Sequence, residues 1–507
     1  MRIRTMLKLA FPIALFILSG NFLTAAEKPN VIIVFADDMG IDSVQAYNPT
    51  FQAPTPHLDQ LSRDAESFMD AHTPSSVCSP TRYALLTGRY PWRGILKNGV
   101  LRPYESSAIE KERLTLPKIL KGLGYDTACI GKWHLGWDWP FKSDEPQLRP
   151  KSDRATPEES LVDWQRAMQP GGIGGGPLGA GFDTYFGSGM PNFPPYTWHE
   201  NDHILEIPTK FKPFRMPERN NDYTGAAGLM VPDWNFEKDL PVITRKSIAY
   251  IKEKAAEERS FFLYFSLTSP HSPIVPDAEF IGKGQVPGSV YADWIYQTDW
   301  VLGQVEQAIK DAGIRDNTIL IFSTDNGTEI SFAKKNWPDS AATFNYSVRG
   351  KKRELYEGGH RIPFMIRWPG LTKAGKRRSE VICVSDIMAT LADYFSVEFP
   401  DNSAEDSVSF LPALRGESFE RAPVVHCSIE GQLGIRKGDW KLIQMKKGFE
   451  LYNLKADPKE TENLYSSHPE IAEDMRNIVE RYIKEGRSTA GAAQPIEENK
   501  ILSAWLK

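Results

Sequence analysis

Cysteine is scarce in this chain. Cys78, Cys129, Cys383 and Cys427 are the four in 507 residues, which excludes a fold stapled by a disulfide framework. No C-x-x-C pair and no Cys/His cluster occurs, so a zinc site has no ligand set in the sequence. Charge of one sign is lacking too: 60 Lys and Arg face 65 Asp and Glu, a net charge of −5. That balance in a chain this long argues against a dedicated nucleic-acid binder. No apolar run reaches the ~20 residues that a membrane-spanning helix needs. Internal repeats and low-complexity tracts are absent as well.

What is present reads as a soluble globular protein, 41% hydrophobic and 25% charged. At ~150 residues per domain the length suggests about three domains, although α/β enzymes often use one large one. Residues 1–26 read as a secretory signal peptide. Arg2, Arg4 and Lys8 precede an apolar run over 9–18, and Thr24, Ala25 and Ala26 precede Glu27. No cysteine stands near that cut, which argues against a lipoprotein. The expectation is export to a periplasm or outside the cell, with no stable membrane anchor.

Residues 30–36 (N-V-I-I-V-F-A) form a continuous apolar run rich in β-branched side chains and predict a fully buried strand. It ends in Asp37, Asp38, Met39 and Gly40. Two adjacent acids there are costly unless paired or metal-bound, and the carboxyl edge of an open α/β sheet is where ligands bind. A solvated Asp/Gly turn is the plain alternative. The pattern returns at 318–323, a second buried strand that runs into Thr324, Asp325, Asn326 and Gly327. Asp37, Asp38, Asp325 and Asn326 offer oxygen alone, which suits calcium or magnesium and disfavours zinc.

Around these strands the pattern predicts helices over 56–68, 114–123, 239–256 and 289–312, and strands over 125–130, 261–267 and 364–368. The strand over 125–130 leads to Lys132 and His134, which point the same way if the backbone is extended. The one over 261–267 leads to His271. The one over 364–368 follows Lys351, Lys352, Glu357, Gly358, Gly359 and Arg361. The fold class is α/β: a large mixed, mostly parallel sheet sandwiched by helices. After about residue 400, short strands over 424–429, 433–436 and 440–444 and a helix over 468–484 predict a smaller C-terminal antiparallel sheet plus helix. Patterning fades over 137–235. Residues 190–200 mix aromatic faces with hydrogen-bonding tips, as a sugar-binding wall or a proline-stiffened loop would. The walls that choose a substrate are expected near Trp92, Arg93 and residues 196–200.

Cys78, Ser79, Pro80, Thr81 and Arg82 stand at a short helical stretch, 81–87, that stops at Gly88. Proline suits a helix start and Ser79 suits the N-cap. Cys78 then lies at the positive end of a helix, where an anion is favoured. A buried structural cysteine is the alternative. With the oxygen ligands, Cys78, Arg82, Lys132, His134, His271 and Lys352 compose a pocket for a tetrahedral anion.

The segments N-V-I-I-V-F-A-D-D, C-S-P-T-R with L-x-T-G-R, G-K-W-H-L-G, P-H-S-P, T-D-N-G and E-G-G-H-R-I-P, in this order, resemble the sulfatase family over residues 29–464. The resemblance implies a sulfuric ester hydrolase whose cysteine, Cys78, is oxidised to formylglycine by a formylglycine-generating or sulfatase-maturating enzyme. It implies one calcium ion per chain on Asp37, Asp38, Asp325, Asn326 and the modified Cys78. Arg82 and Lys132 would steady the formylglycine. Lys352 would bind sulfate, with Lys351 as the competing assignment. In the family mechanism the hydrated aldehyde attacks sulfur, His271 protonates the leaving alcohol, and His134 deprotonates the second hydroxyl so that sulfate is expelled. The implied partner is a sulfated saccharide, of unspecified sugar. The alternatives are a phosphonate or phosphodiester hydrolase of the related alkaline phosphatase superfamily, or a sulfated-glycan binding protein in which Cys78 stays unmodified. With Cys78 modified, at most one disulfide could form among the other three cysteines. The expected division is signal peptide 1–26, catalytic domain 27–400 and C-terminal α+β subdomain 401–507.

Overall fold

The computed structural model describes residues 28–140, 154–168, 172–214, 225–332, 337, 343–495 and 502–506. The stretch read as a signal peptide lies outside them. In chain order the strands are β1 (Asn30–Ala36), β2 (Glu66–His72), β3 (Asp126–Lys132), β4 (Thr184–Gly189), β5 (His199–Glu200), β6 (His203–Ile204), β7 (Lys210–Lys212), β8 (Gly228–Met230), β9 (Phe261–Ser266), β10 (Thr318–Thr324), β11 (Arg361–Arg367), β12 (Arg377–Cys383), β13 (Val424–Cys427), β14 (Leu433–Lys437), β15 (Trp440–Gln444) and β16 (Phe449–Asn453). Ten of them form one sheet in the order β12-β2-β11-β10-β1-β9-β3-β4-β5-β6.

The centre of this sheet, β10-β1-β9-β3-β4, is parallel. β11 runs antiparallel between β10 and β2, and β5 and β6 close the other side as a meander. Every residue of β1 is buried, and successive side chains of a strand point to opposite faces. Val31, Ile33 and Phe35 therefore enter one core, with Tyr83, Leu85, Leu116, Leu120 and Leu391. Ile32, Val34 and Ala36 enter another, with Leu58, Leu240, Ile243, Ile295, Val301, Val305 and Ile309. The helices on the second face include Pro56–Asp64, Asp239–Ala256 and Val290–Asp311; those on the first include Cys78–Thr87, Leu116–Gly122 and Asp386–Tyr394. β13 to β16 form a separate antiparallel sheet. A third core joins it to the helix Pro469–Glu485 through Val425, Leu433, Leu442, Met475, Val479 and Ile483.

The α/β layering, the mostly parallel sheet and the small antiparallel sheet are as the sequence predicts. Several boundaries differ. The helix expected over 56–68 ends at Asp64, and Glu66–His72 is a strand. Pairing of this segment with both β11 and β12 outweighs the helical spacing. Phe68 accordingly packs in the core opposite to Leu58 and Leu61. β12, β16 and the helix Asp386–Tyr394 were not separated by the sequence pattern.

Candidate active site

Parallel pairing sets Ala36 beside Thr324, Phe35 beside Ser266, and Ser266 beside Gly131. The residues that follow these strand ends, Asp37 and Asp38, Asp325 and Asn326, and Lys132, therefore emerge at one edge. All five side chains are buried. Carboxylate oxygens of Asp37, Asp38 and Asp325 lie within 4.8 Å of one another. Asp38 adopts φ 72°, and its N–H donates to Asp325 Oδ1 at 3.1 Å. Asn326 Nδ2 donates to Asp38 Oδ1 at 2.7 Å and to the Gly327 carbonyl at 2.9 Å. Two buried oxygens are left with no hydrogen-bond donor: Asp37 Oδ1 and Asn326 Oδ1.

Three cations face the three acids. Lys132 Nζ donates to Asp37 Oδ2 at 2.5 Å. Lys352 Nζ lies 2.7 and 2.8 Å from the two oxygens of Asp38. Arg82 forks onto Asp325 Oδ2 through Nε at 3.0 Å and Nη2 at 2.6 Å. Its Nη1 bonds Ser266 Oγ and reaches Tyr264 OH. Burial alone would push the Asp38 carboxyl up, but Lys352 and His271 outweigh it and hold it well below the usual range. Burial and the Asp37 charge push Asp325 up to about 6 against the pull of Arg82. Three carboxylates and three cations cancel. A divalent ion added to this cluster leaves surplus positive charge, which suits an anionic substrate. The orphaned oxygens and the all-oxygen donor set fit calcium or magnesium.

Cys78 is the first residue of the helix Cys78–Thr87, whose N-cap is Val77 and whose C-cap is Gly88 at φ 64°. Ser79, expected as the cap, lies inside the first turn, and its Oγ accepts from Leu101 N–H at 3.2 Å. The first turn of a helix leaves N–H groups unspent, so Cys78 still sits at the positive end. Its sulfur lies within 4.8 Å of ligand atoms of Asp37 and His271. Burial pushes the Cys78 thiol up despite Lys132 and Lys352, so the unmodified side chain is a protonated, weak nucleophile.

His271 Nδ1 donates to the Ser272 carbonyl at 2.6 Å, and Nε2 faces Asp38 Oδ2 at 3.7 Å. Burial, reinforced by Lys352, pushes its pKa down to about 3. Burial, with the charges of Lys132, Arg82 and His271, holds His134 well below its ordinary value. His134 Nε2 donates to the Leu101 carbonyl at 3.0 Å, which leaves Nδ1 a buried acceptor with no donor. His134 has φ 56°, so the extended backbone assumed for Lys132 and His134 breaks there.

The structure thus brings Asp37, Asp38, Cys78, Arg82, Lys132, His134, His271, Asp325, Asn326 and Lys352 to one sheet edge. Lys352 is buried on Asp38, whereas Lys351 is half-buried and is not seen to bond there. Tyr264 and Ser266, which hold Arg82, escaped the sequence reading. They share one face of β9 by period two, a pattern hidden in an all-apolar run. Trp92 and Arg93 are not substrate walls. Trp92 packs in the C-terminal core, and Arg93 bonds Asp406 at 2.8 and 2.9 Å and the Tyr482 carbonyl at 2.8 Å. Tyr196 is buried with its OH on the Ala226 carbonyl at 2.7 Å. His199 stacks on Trp137 and shares a cavity with His134, Tyr104 and Phe193. The four cysteines are unpaired. No helix among the described residues is long and apolar enough to cross a membrane.

A family model described as Sulfatase matches residues 29–397, and one described as N-sulphoglucosamine sulphohydrolase, C-terminal, matches residues 350–485. An N-acetylgalactosamine-6-O-sulfatase of Bacteroides thetaiotaomicron is 31% identical over 500 residues, covering 90% of this chain and 93% of that one. A chain solved in work on the metabolism of multiple glycosaminoglycans by Bacteroides thetaiotaomicron superposes with a TM-score of 0.75 at 27% identity, over 90% of this chain and 99% of the other. A phosphonate monoester hydrolase of Agrobacterium radiobacter has a TM-score of 0.56 at 18% identity, over 88% and 94%; that likeness shows the fold alone.

Proposed function

This chain belongs to the sulfatase family and is a sulfuric ester hydrolase, and from that premise we propose that its substrate is a sulfated carbohydrate, with a 6-sulfated N-acetylgalactosamine unit the first to test. The carbohydrate class is supported by the Bacteroides relative with 31% identity. The observation that carries the mechanism is the placement of Cys78 within 4.8 Å of Asp37 and His271, against a three-carboxylate cluster with two orphaned oxygens nearby. Asp37, Asp38, Asp325 and Asn326, with the modified Cys78, would hold one calcium ion, which supplies positive charge against the oxygens of the sulfate group. Cys78, converted to formylglycine by a maturating enzyme, supplies a hydrated aldehyde: one hydroxyl to bond sulfur as the ester S–O bond breaks, the other to let sulfate leave.

Lys352 and Lys132 hold their ammonium groups on Asp38 and Asp37; with those carboxylates given to calcium, the three donors of each can turn to sulfate oxygens. Arg82, pinned by Asp325, Ser266 and Tyr264, keeps the edge rigid behind Cys78. His271 Nε2 delivers the proton to the leaving alcohol. Burial and Lys352 keep the ring neutral in the free site against the pull of Asp38, and the negative charge of an entering sulfate ester favours its charged form. His134, with its proton on Nε2 and a free lone pair on Nδ1, removes the proton of the second hydroxyl. Export is the setting that the N-terminal residues imply.

The test is sulfate release by protein produced with a formylglycine-generating enzyme and calcium. The panel holds N-acetylgalactosamine 6-sulfate, sulfated galactose, glucosamine and fucose, an aryl sulfate and a phosphonate ester. Release from a sugar sulfate is the expected result, together with a Cys78 peptide mass that shows conversion. Full conversion with turnover of the aryl sulfate or the phosphonate alone overturns the carbohydrate reading.

A further inference from the structure

A cleft of about 690 Å³ has its first lining residue at Arg353, next in the chain to Lys352, and its volume is within the ~300–1,000 Å³ of small-molecule sites. Its walls come from 353–356, which follow Lys352, from 428–432 after β13, and from 443–447 at the end of β15. The backbone ties these walls to the reaction centre. Arg353 N–H donates to the Ser76 carbonyl at 2.9 Å, two residues before Cys78, and Ile429 N–H to the Arg353 carbonyl at 3.3 Å. Ser76 N–H in turn bonds the Cys427 carbonyl at 2.9 Å. Arg353 takes φ 81°; Lys352 turns inward to Asp38 while the Arg353 guanidinium pairs with Glu329, four residues past Asp325. The cleft therefore begins one residue from the proposed sulfate-binding lysine and shares its wall.

The lining is amphipathic. Tyr356 and Met445, both half-buried, supply apolar surface over the buried Leu355 and Ile443, and Ser428 and Gln432 supply hydrogen-bonding groups. Lys446 and Lys447 stand exposed, Lys446 within 3.1 Å of Glu430. Ring faces against apolar side chains, hydroxyls against amides and anionic groups against lysines are what a charged saccharide presents. We propose that this cleft is a subsite for the neighbouring units of a sulfated oligosaccharide, so that the enzyme recognises a segment of polymer rather than a single sugar. The proposal rests on the carbohydrate reading above and adds the length of chain that is held.

The experiment compares kcat/KM on the mono-, di-, tetra- and hexasaccharide of one sulfated repeat, for the parent enzyme, the Lys446→Glu/Lys447→Glu double variant and Gln432→Ala. Alongside, calorimetry measures binding of the hexasaccharide to Cys78→Ala protein with and without the double substitution. The parent is expected to gain about tenfold from mono- to tetrasaccharide, carried by KM. The double variant is expected to lose that gain and to keep the monosaccharide rate. A length-independent parent, or a variant that keeps the gain, overturns the proposal while sulfatase activity stands. If no sugar sulfate is hydrolysed, the carbohydrate reading falls and calorimetry decides the cleft. A roughly tenfold weakening by the double variant sustains it, and equal or absent hexasaccharide binding overturns it.

Discussion

Among the described residues, potential metal ligands gather within 4.8 Å in two places: at the sheet edge, as Asp37, Asp38 and Asp325 and as Asp37, Cys78 and His271, and between the two sheets, as His72, His360 and His426 and as Asp70, His72 and Glu357. They differ in donor type and in the direction of their lone pairs. In the second, the outer nitrogens are engaged: His72 Nε2 with Asp70 at 2.8 Å, His360 Nε2 with the Leu355 carbonyl at 3.0 Å, and His426 Nδ1 with the Thr73 carbonyl at 2.8 Å. His72 Nδ1 and His360 Nδ1 meet at 3.1 Å. The rings of His360 and His426 stack at 3.8 Å and 15°, so their in-plane lone pairs run in parallel planes and do not converge on one ion. The surrounding charges are already matched, Lys441 with Glu357 and Glu460 at 2.9 and 2.8 Å, and Arg436 with Asp70 at 3.0 Å. Each cluster holds unpartnered buried atoms, Asp37 Oδ1 and Asn326 Oδ1 at the sheet edge and His426 Nε2 and Glu357 Oε2 at the histidines; the sheet edge differs in offering oxygens from three carboxylates beside Cys78. Proximity of donor atoms does not make a site; the type of donor and the direction of its lone pairs do.

The strongest test of that contrast is Asp325→Asn in the calcium-loaded, converted enzyme. The substitution keeps an acceptor near Arg82 and removes one negative charge from the oxygen cluster. Sulfate release is expected to fall by about 10³-fold, with bound calcium falling from one per chain toward none by metal analysis. Circular dichroism should retain the fold. Retained calcium with retained rate would mean that the oxygen cluster is as inert as the histidine one.

The contrast also explains what could be read from the chain. Asp37, Asp38, Asp325 and Asn326 were legible because each pair ends an apolar strand, and parallel pairing turns two strand ends into one edge. Cys78, Lys132, His271 and Lys352 stand in local motifs. The histidine cluster was not legible, since residues 72, 360 and 426 share no spacing and meet only through β2, the helical turn Glu357–His360 ahead of β11, and β13. Trp92 and Arg93 misled for the opposite reason: a Trp-Arg pair suits a sugar site and an interdomain core equally well, and only the placement of Asp406 and Tyr482 decides. The strand over Glu66–His72 was missed because its helical spacing continues past Asp64, while its partners lie some 300 residues away in sequence.

A third acid sharpens the comparison from the side of stability. Asp239 is as buried as the site carboxylates but has no cation; Ser188 Oγ lies 3.3 Å from Oδ2, and Oδ1 has no donor. Burial pushes its pKa up from 3.8 to about 7. The folded state therefore binds this proton more tightly than the unfolded chain. Stability is full below about pH 4, declines as pH rises to about 7, and stays reduced above that. Asp239→Asn removes the penalty. It is expected to raise stability at pH 8 by about 4 kcal/mol, to leave stability near pH 4 unchanged, and to spare sulfate release, read from denaturant midpoints at the two pH values. No gain at pH 8 would show that a buried acid can be ionised here without a cation, and would weaken the argument from matched charge at the sheet edge.

The smallest effect is expected in the histidine cluster itself. His426→Phe keeps an aromatic ring against His360 and deletes Nε2, which has no partner, together with the Nδ1 bond to the Thr73 carbonyl. One neutral hydrogen bond lost and one unsatisfied buried atom removed nearly cancel. Stability should change by no more than about 1 kcal/mol, and calcium content and the rate of sulfate release should be unaltered. The measurement cuts against the stacked-ring account more directly than any substitution at the edge. If His426 were a ligand, phenylalanine could not replace it, and metal would be lost from the protein along with the contact between the two sheets. A ring that serves only by packing can be exchanged for one that packs as well.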